Sequence, residues 1–364
     1  MNFFPSYKNR VYGLDVFRAI AIILVVHGHG KFMLEGTFLE KFPWIPLIDG
    51  VDLFFVLSGF LIGKILLQTI HENDYRLDML TIGTFWKRRW FRTLPNYYFI
   101  LIVNILLVKY EIINGRFEQF NYKFFLFLQN FAAPSYGFFW ESWSLSIEEW
   151  FYIFLPLCLL ILLKIMPNKK GILSAIAVLI ALPLVYRISQ ANQEVNPFWW
   201  DVTFRKVVLM RLDTIIYGVL AAFVKFYHSA FWQRAAIPAC ILGIVIIVAT
   251  ELLPKSSNDF FTKTFYFNCT SIGAMLLLPF ADSVKHFKSF FGKVMTHISL
   301  ISYSMYLINL ALVASVITKN FPVTDPVDGF IKYPLYWIVV IIGSTLLYFG
   351  FEKPILSLRD RKMF

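Results

Sequence analysis

The run GLDVFRAIAIILVVHGHG at residues 13–30 decides the fold. A helix needs roughly 17–25 mostly apolar residues to cross the hydrocarbon core of a bilayer, and this run is of that length. It nevertheless carries Asp15, Arg18, His27 and His29. Ionisable groups within such a helix are costly and turn towards a cavity or a partner. Arg18 and His29 are eleven positions apart. At about 100° and 1.5 Å per residue they share one face, about 16 Å apart along the axis. Asp15, three residues before Arg18, lies near the same stripe. His27 falls on the opposite face.

The rest of the chain extends this reading. Of its 364 residues, 58% are apolar, 19% aromatic and 16% charged. Soluble domains carry about 45–50% apolar and about 25% charged residues. With a mean hydropathy of +0.63, disorder is excluded and a polytopic membrane protein is expected. Ten apolar stretches of spanning length occur near 13–30, 46–68, 90–108, 147–165, 172–188, 207–227, 231–250, 264–281, 298–318 and 333–350. The expected fold is therefore an all-α bundle of about ten transmembrane helices, one domain over residues 1–364. Residues 124–131 are apolar but too short to span, and read as a re-entrant or interfacial piece. With the N-terminus inside, inner segments hold 20 Lys and Arg against 12 in outer loops. That excess places both termini in the cytoplasm. The net charge of +11 then reflects basic cytoplasmic loops and not nucleic-acid binding. The first residues lack a secretory signal peptide, so the first helix is expected to direct insertion. Cys158, Cys240 and Cys269 are far apart, with neither disulfide nor metal spacing.

Further polar residues interrupt the apolar runs. Asp52 and Ser58 lie in the second span, and Ser58-Gly59 reads as a packing seam. The third span opens with Arg88, Arg89 and Arg92. Positive-inside anchoring explains such residues, while a phosphate clamp suits arginine geometry. Glu148 and Glu149, five and six residues after Trp143, point about 100° apart, so at most one faces a given cavity. Arg211 and Asp213 sit in the sixth span and read as a pair that would lower the cost of burying both. Ser302, Tyr303, Ser304, Tyr306 and Asn309 form a polar stripe in the ninth. Together these residues describe a polar pocket within the bundle.

The pattern resembles the transmembrane acyltransferase-3 family. Its Arg-x10-His is matched by Arg18 and His29, and its VDLFFVLSGFL-type second helix by residues 51–61. Its Arg-x-x-Arg is matched by Arg89 and Arg92. Its Trp-Ser-Leu-x-x-Glu-Glu-x-Phe-Tyr falls on residues 143–152, its Arg-x-Asp on Arg211 and Asp213, and its Ser-Tyr-Ser-x-Tyr-Leu on 302–307. The motifs run in family order over about residues 10–355. The chain departs from the family at Glu141 and Asn309, where many members carry histidines. Some relatives add a soluble C-terminal domain, which is not expected here.

The resemblance implies transfer of an acyl group, acetyl foremost, from acyl-coenzyme A to a hydroxyl of a carbohydrate or lipid-linked glycan. Envelope glycans such as lipopolysaccharide, capsule or exopolysaccharide are typical acceptors, and a prokaryotic inner membrane is the expected location. Acetyl-coenzyme A would be a donor substrate, with no permanently bound cofactor and no metal. His29 would act as general base or as an acyl-accepting nucleophile. Arg18 would hold the donor or developing charge, and Arg88, Arg89 and Arg92 its phosphates. Glu148 would orient the histidine or the acceptor hydroxyl. Asp52, Ser58, Trp143, Arg211, Asp213, Tyr303 and Asn309 would support the pocket. The competing readings are a transporter with an intramembrane charge relay, or an inactive relative in polysaccharide assembly.

Overall fold

The computed structural model describes residues 10–40, 48–285 and 289–361, with side chains to 358. The tail at 1–9, the first two residues of the second expected span, and Lys362 of the C-terminal basic tail lie outside these. The described residues are helical, with no strand among them. Each of the ten expected stretches falls on a helix. These are α1 (Tyr12–Gly30), α2 (Gly50–Glu72), α3 (Met79–Lys109), α4 (Ser142–Ile165), α5 (Lys169–Gln190), α6 (Val208–Tyr227), α7 (Ala236–Leu252), α8 (Tyr266–Ser283), α9 (Phe290–Ile308) and α10 (Pro326–Leu347).

Seven of the described helical stretches are long and apolar enough to cross a membrane, or eight if a pair bent by 58° at residues 205–208 is one span. Ten was the expectation. The count is smaller because α7 has only 17 residues, and α8 carries Asn268, Thr270, Ser271 and Asp282. The helices fit a multi-pass integral membrane protein.

Local chemistry sets the helix ends. Asp49, Asp78, Asn168, Ser289 and Asp325 each accept a backbone N–H from the first turn they precede. Such caps satisfy donors that the helix itself leaves open. At Asp78 the Thr81 N–H holds the carboxyl below the usual carboxylate range. The 31-residue α3 is about 46 Å long, well beyond the about 30 Å hydrocarbon core. The helix is thus longer than one crossing needs.

The tightest packing joins α2 to α6. A Cβ at Gly59 would lie 1.9 Å from the Ile215 carbonyl oxygen, and one at Gly218 2.0 Å from that of Val56. Only glycine allows this backbone approach. The expected seam at Ser58-Gly59 is thus present, and it fixes α2 beside α6.

Residues 124–131 are not a span. They begin within the 3-10 turn Tyr122–Leu126 and continue as irregular chain folded against α3, α4 and α6. Tyr97 and Trp150 donate to the Phe124 and Phe127 carbonyls, at 2.8 and 2.9 Å. The Asn130 amide donates to the carbonyls of Trp143 and Lys206, at 3.0 and 2.6 Å. Irregular backbone at membrane depth is tolerated where protein groups satisfy it in this way.

Candidate active site

Two cavities lie along α1. The first is lined by Arg18, Arg89, Arg92, Glu148, Ser58, Thr93, Tyr152, Ser302 and Tyr303, with apolar walls from Phe54, Phe55 and Leu61. The second is lined by His29, Lys31, Asp49, Trp140, Glu141, Trp143, Arg205 and Lys206. Val51 and Tyr306 line both, so the two cavities meet at these side chains. The helical spacing of Arg18 and His29 therefore delivers one residue to each cavity.

The arginine cavity is narrow, about 110 Å³. Among the described residues, none of its three guanidiniums makes a side-chain hydrogen bond or a close ion pair. Arg89 instead lies over the rings of Phe85 and Tyr152, each 5.9 Å from its Cζ. Glu148 lines the cavity, whereas Glu149 turns away and accepts from the Thr93 hydroxyl at 2.6 Å. The two adjacent carboxyls are thus split as their helical angle requires. Ser58 and Tyr152 hydroxyls are 3.0 Å apart, and Tyr303 donates to the Thr93 carbonyl at 2.8 Å.

The histidine cavity is larger, about 580 Å³, within the about 300–1,000 Å³ usual for small-molecule sites. His29 Nδ1 lies 2.5 Å from Asn309 Oδ1. The Asn309 amide nitrogen donates to the carbonyls of Met305 and Tyr306, both at 2.8 Å, which fixes the oxygen towards the histidine. His29 therefore donates from Nδ1, and the Nε2 lone pair is left to accept a proton. Asn309 opens a π-helical turn, Asn309–Ala314, after α9. Arg205 is held by Asp49 and Asp201 and lies 5.1 Å over the Trp143 ring. Lys206 bonds Asp201 at 2.5 Å and lies 5.1 Å over Trp140. In the wall, Tyr306 donates to the Glu141 carbonyl at 2.8 Å and meets the Ser144 hydroxyl at 2.5 Å.

Several expected placements are corrected. Arg211 and Asp213 do not pair, because residues two apart on a helix point about 200° apart. Arg211 bonds Asp52, which also lies 3.4 Å from the Thr270 hydroxyl. Asp213 takes both guanidinium nitrogens of Arg187, at 2.5 and 3.0 Å. Asn268 accepts from the same arginine and donates to Asp213. Phe267 lies between the two arginines, 3.9 Å from Arg211 Cζ and 5.6 Å from Arg187 Cζ. Asp52, Arg211 and Asp213 line neither cavity; they tie α2, α5, α6 and α8 together. Arg88 is exposed and lines neither cavity, since it is turned about 100° from Arg89. Glu148 sits in the arginine cavity, so Asn309 orients His29 instead. Asp15 is paired with Arg10 and takes the Ser299 hydroxyl. His27 faces away from the cavity, 2.8 Å from the Tyr333 hydroxyl.

Sequence reading missed Asp49, Trp140, Arg205 and Lys206. The signal for Asp49 was its place before Gly50, as a cap. Arg205 and Lys206 sit at the break before α6, which Asn196-Pro197 announces as a helix start of its own.

The pattern of the family described as "Acyltransferase domain" matches residues 11–352. The chain belongs to the acyltransferase-3 family. Among its relatives in that family, a Staphylococcus aureus protein named "Putative O-acetyltransferase" is 29% identical over 386 residues, covering 96% of this chain. The chain spans 58% of that relative's length. The protein named "Peptidoglycan O-acetyltransferase" of Listeria monocytogenes is 32% identical over 185 residues, 46% of this chain and 27% of its own. A Bacillus subtilis protein, "Putative peptidoglycan O-acetyltransferase", is 33% identical over 184 residues, 46% of this chain and 26% of its own. No solved structure matches the chain.

Proposed function

We propose that the chain is an O-acyltransferase of the bacterial cytoplasmic membrane, moving an acetyl group from acetyl-coenzyme A to a hydroxyl of a cell-envelope glycan. The observation that carries this reading is the pair of cavities with complementary chemistry meeting at one wall. Arg18, Arg89 and Arg92 form a cationic site without a close carboxylate partner, suited to the donor's phosphates through charge-assisted bonds. A slim arm, not a ring, fits the narrow remainder. The histidine cavity has the volume and the indole faces for a sugar. The arginine side faces the cytoplasm, where the donor is made. The names of the relatives turn the acceptor towards peptidoglycan, ahead of lipopolysaccharide or capsule.

In the reaction the acceptor hydroxyl gives its proton to His29 Nε2 while its oxygen attacks the thioester carbonyl. The carbon–sulfur bond breaks, and the departing thiolate takes up the proton from His29. Asn309 holds the ring in the tautomer this needs. General-base assistance of this kind contributes about 10²–10⁴-fold.

The test uses membranes bearing wild type or His29→Ala, labelled acetyl-coenzyme A and peptidoglycan. Label is expected to enter the glycan with wild type and to fall at least about 100-fold with His29→Ala. Retained transfer in the variant removes His29 from the reaction. No transfer by folded wild type defeats the acyltransferase reading.

A further inference from the structure

Glu141, directly before α4, is 1% exposed and lines the histidine cavity. Its Oε1 accepts the Ala311 N–H at 2.9 Å, within the π-helical turn that Asn309 opens. Its Oε2 has no hydrogen-bond partner. No Lys or Arg among the described residues lies within ion-pair distance of it. Asp49, the other acid in this cavity wall, is already taken by Arg205 and the Val51 N–H. A buried carboxyl oxygen without a partner is unfavourable and calls for explanation.

The other polar groups of the cavity are mostly donors: Lys31, Arg205 and Lys206. Trp140 and Trp143 add flat apolar faces. A sugar ring presents apolar faces and an edge of O–H donors. Besides the histidine nitrogen that receives the proton, such a ring needs an acceptor for a neighbouring group. The Ala311 contact holds the Glu141 side chain at the cavity wall with Oε2 enclosed, so the sugar must displace the atoms that cover it.

We propose that Glu141 is an acceptor-binding residue, whose Oε2 takes a hydrogen bond from a hydroxyl or amide N–H of the glycan beside the hydroxyl deprotonated at His29. This rests on the glycan-acyltransferase reading above and names the group that positions its acceptor. It also couples the two ends of one turn, because the carboxyl that meets the sugar is held by the turn that orients the histidine.

Glu141→Gln separates the roles. The amide oxygen keeps the Ala311 N–H, while the NH₂ that replaces Oε2 cannot accept. The full chain in lipid nanodiscs is titrated with a β-1,4-linked N-acetylglucosamine trisaccharide, followed by tryptophan fluorescence from Trp140 and Trp143. Transfer from acetyl-coenzyme A to the same saccharide is then measured. Glu141→Gln is expected to weaken saccharide binding and raise the acceptor KM by about tenfold, the scale of one lost hydrogen bond. The donor KM and melting temperature should stay as in wild type, whereas Glu141→Ala, which also releases Ala311, lowers the melting temperature. Equal saccharide affinity in Glu141→Gln and wild type overturns the proposal, and so does the absence of saccharide binding by wild type. If Glu141→Gln loses donor affinity and stability together with saccharide affinity, the residue is only structural. Saccharide binding that weakens in Glu141→Gln, with no acetyl transfer by wild type, upholds the binding role and defeats the acyltransferase reading alone.

Discussion

Two sets of arginines lie in this bundle, and they are treated in opposite ways. Arg187 and Arg211 are 0% and 1% exposed, and each meets an aspartate across a helix interface. Arg18, Arg89 and Arg92 line a cavity and make no close ion pair among the described residues. A buried charge must be paired or hydrogen-bonded to persist. The first set meets that demand within the chain and serves the fold. The second is under less demand, since Arg92 is exposed and Arg18 and Arg89 are half-buried, so water can meet their charge. The presence of an arginine in a span therefore says less than the place of its nearest carboxylate.

The largest expected effect breaks the first set. Arg187→Met leaves Asp213 buried without its cation, a loss of about 3–5 kcal/mol against a usual total of about 5–15 kcal/mol. The yield and melting temperature of the solubilised protein should fall sharply. Pairing the change with Asp213→Leu should recover part of the loss, because an apolar pair replaces an ion pair better than half of one does.

The second set should respond in function and not in stability. Arg89→Ala and Arg92→Ala are each expected to raise the donor KM about 10–100-fold, the scale of one charge-assisted bond. Their melting temperatures should match wild type. An unchanged donor KM in both would end the contrast drawn here. The smallest effect sharpens it. Arg88→Ala, next in sequence but turned away from the cavity, should leave the donor KM within about twofold.

The helices were legible in the sequence, and so were Arg18, Ser58, Arg89, Arg92, Glu148 and Tyr303 of one cavity and His29 and Trp143 of the other. Apolar runs of about 20 residues located every major helix, and helical periodicity alone put Arg18 and His29 on one face. The spacing of Arg89 and Arg92 likewise predicted a shared surface, and they share the cavity. Pairings between helices were not legible. Arg-x-Asp suggested a local pair, but the partners come from α2 and α5, which no spacing within α6 reveals. Arg187, near the end of the fifth span, was not singled out in the sequence, although it is the centre of a buried network. Its partners Asp213 and Asn268 are 26 and 81 residues away. Asn309 stood out as part of the polar stripe of the ninth span and as a departure from the family; its contact with His29 depends on a π-helical turn that carries no clear sequence mark.

The wall of Val51 and Tyr306 has a consequence for the energised membrane. Two polar hollows stacked along one helix would, if merged, form a wire for protons and small ions. A phenol ring, tied by its hydroxyl to Ser144 and the Glu141 carbonyl, and one valine keep them apart. With that ring and the valine in place, the two hollows meet without merging.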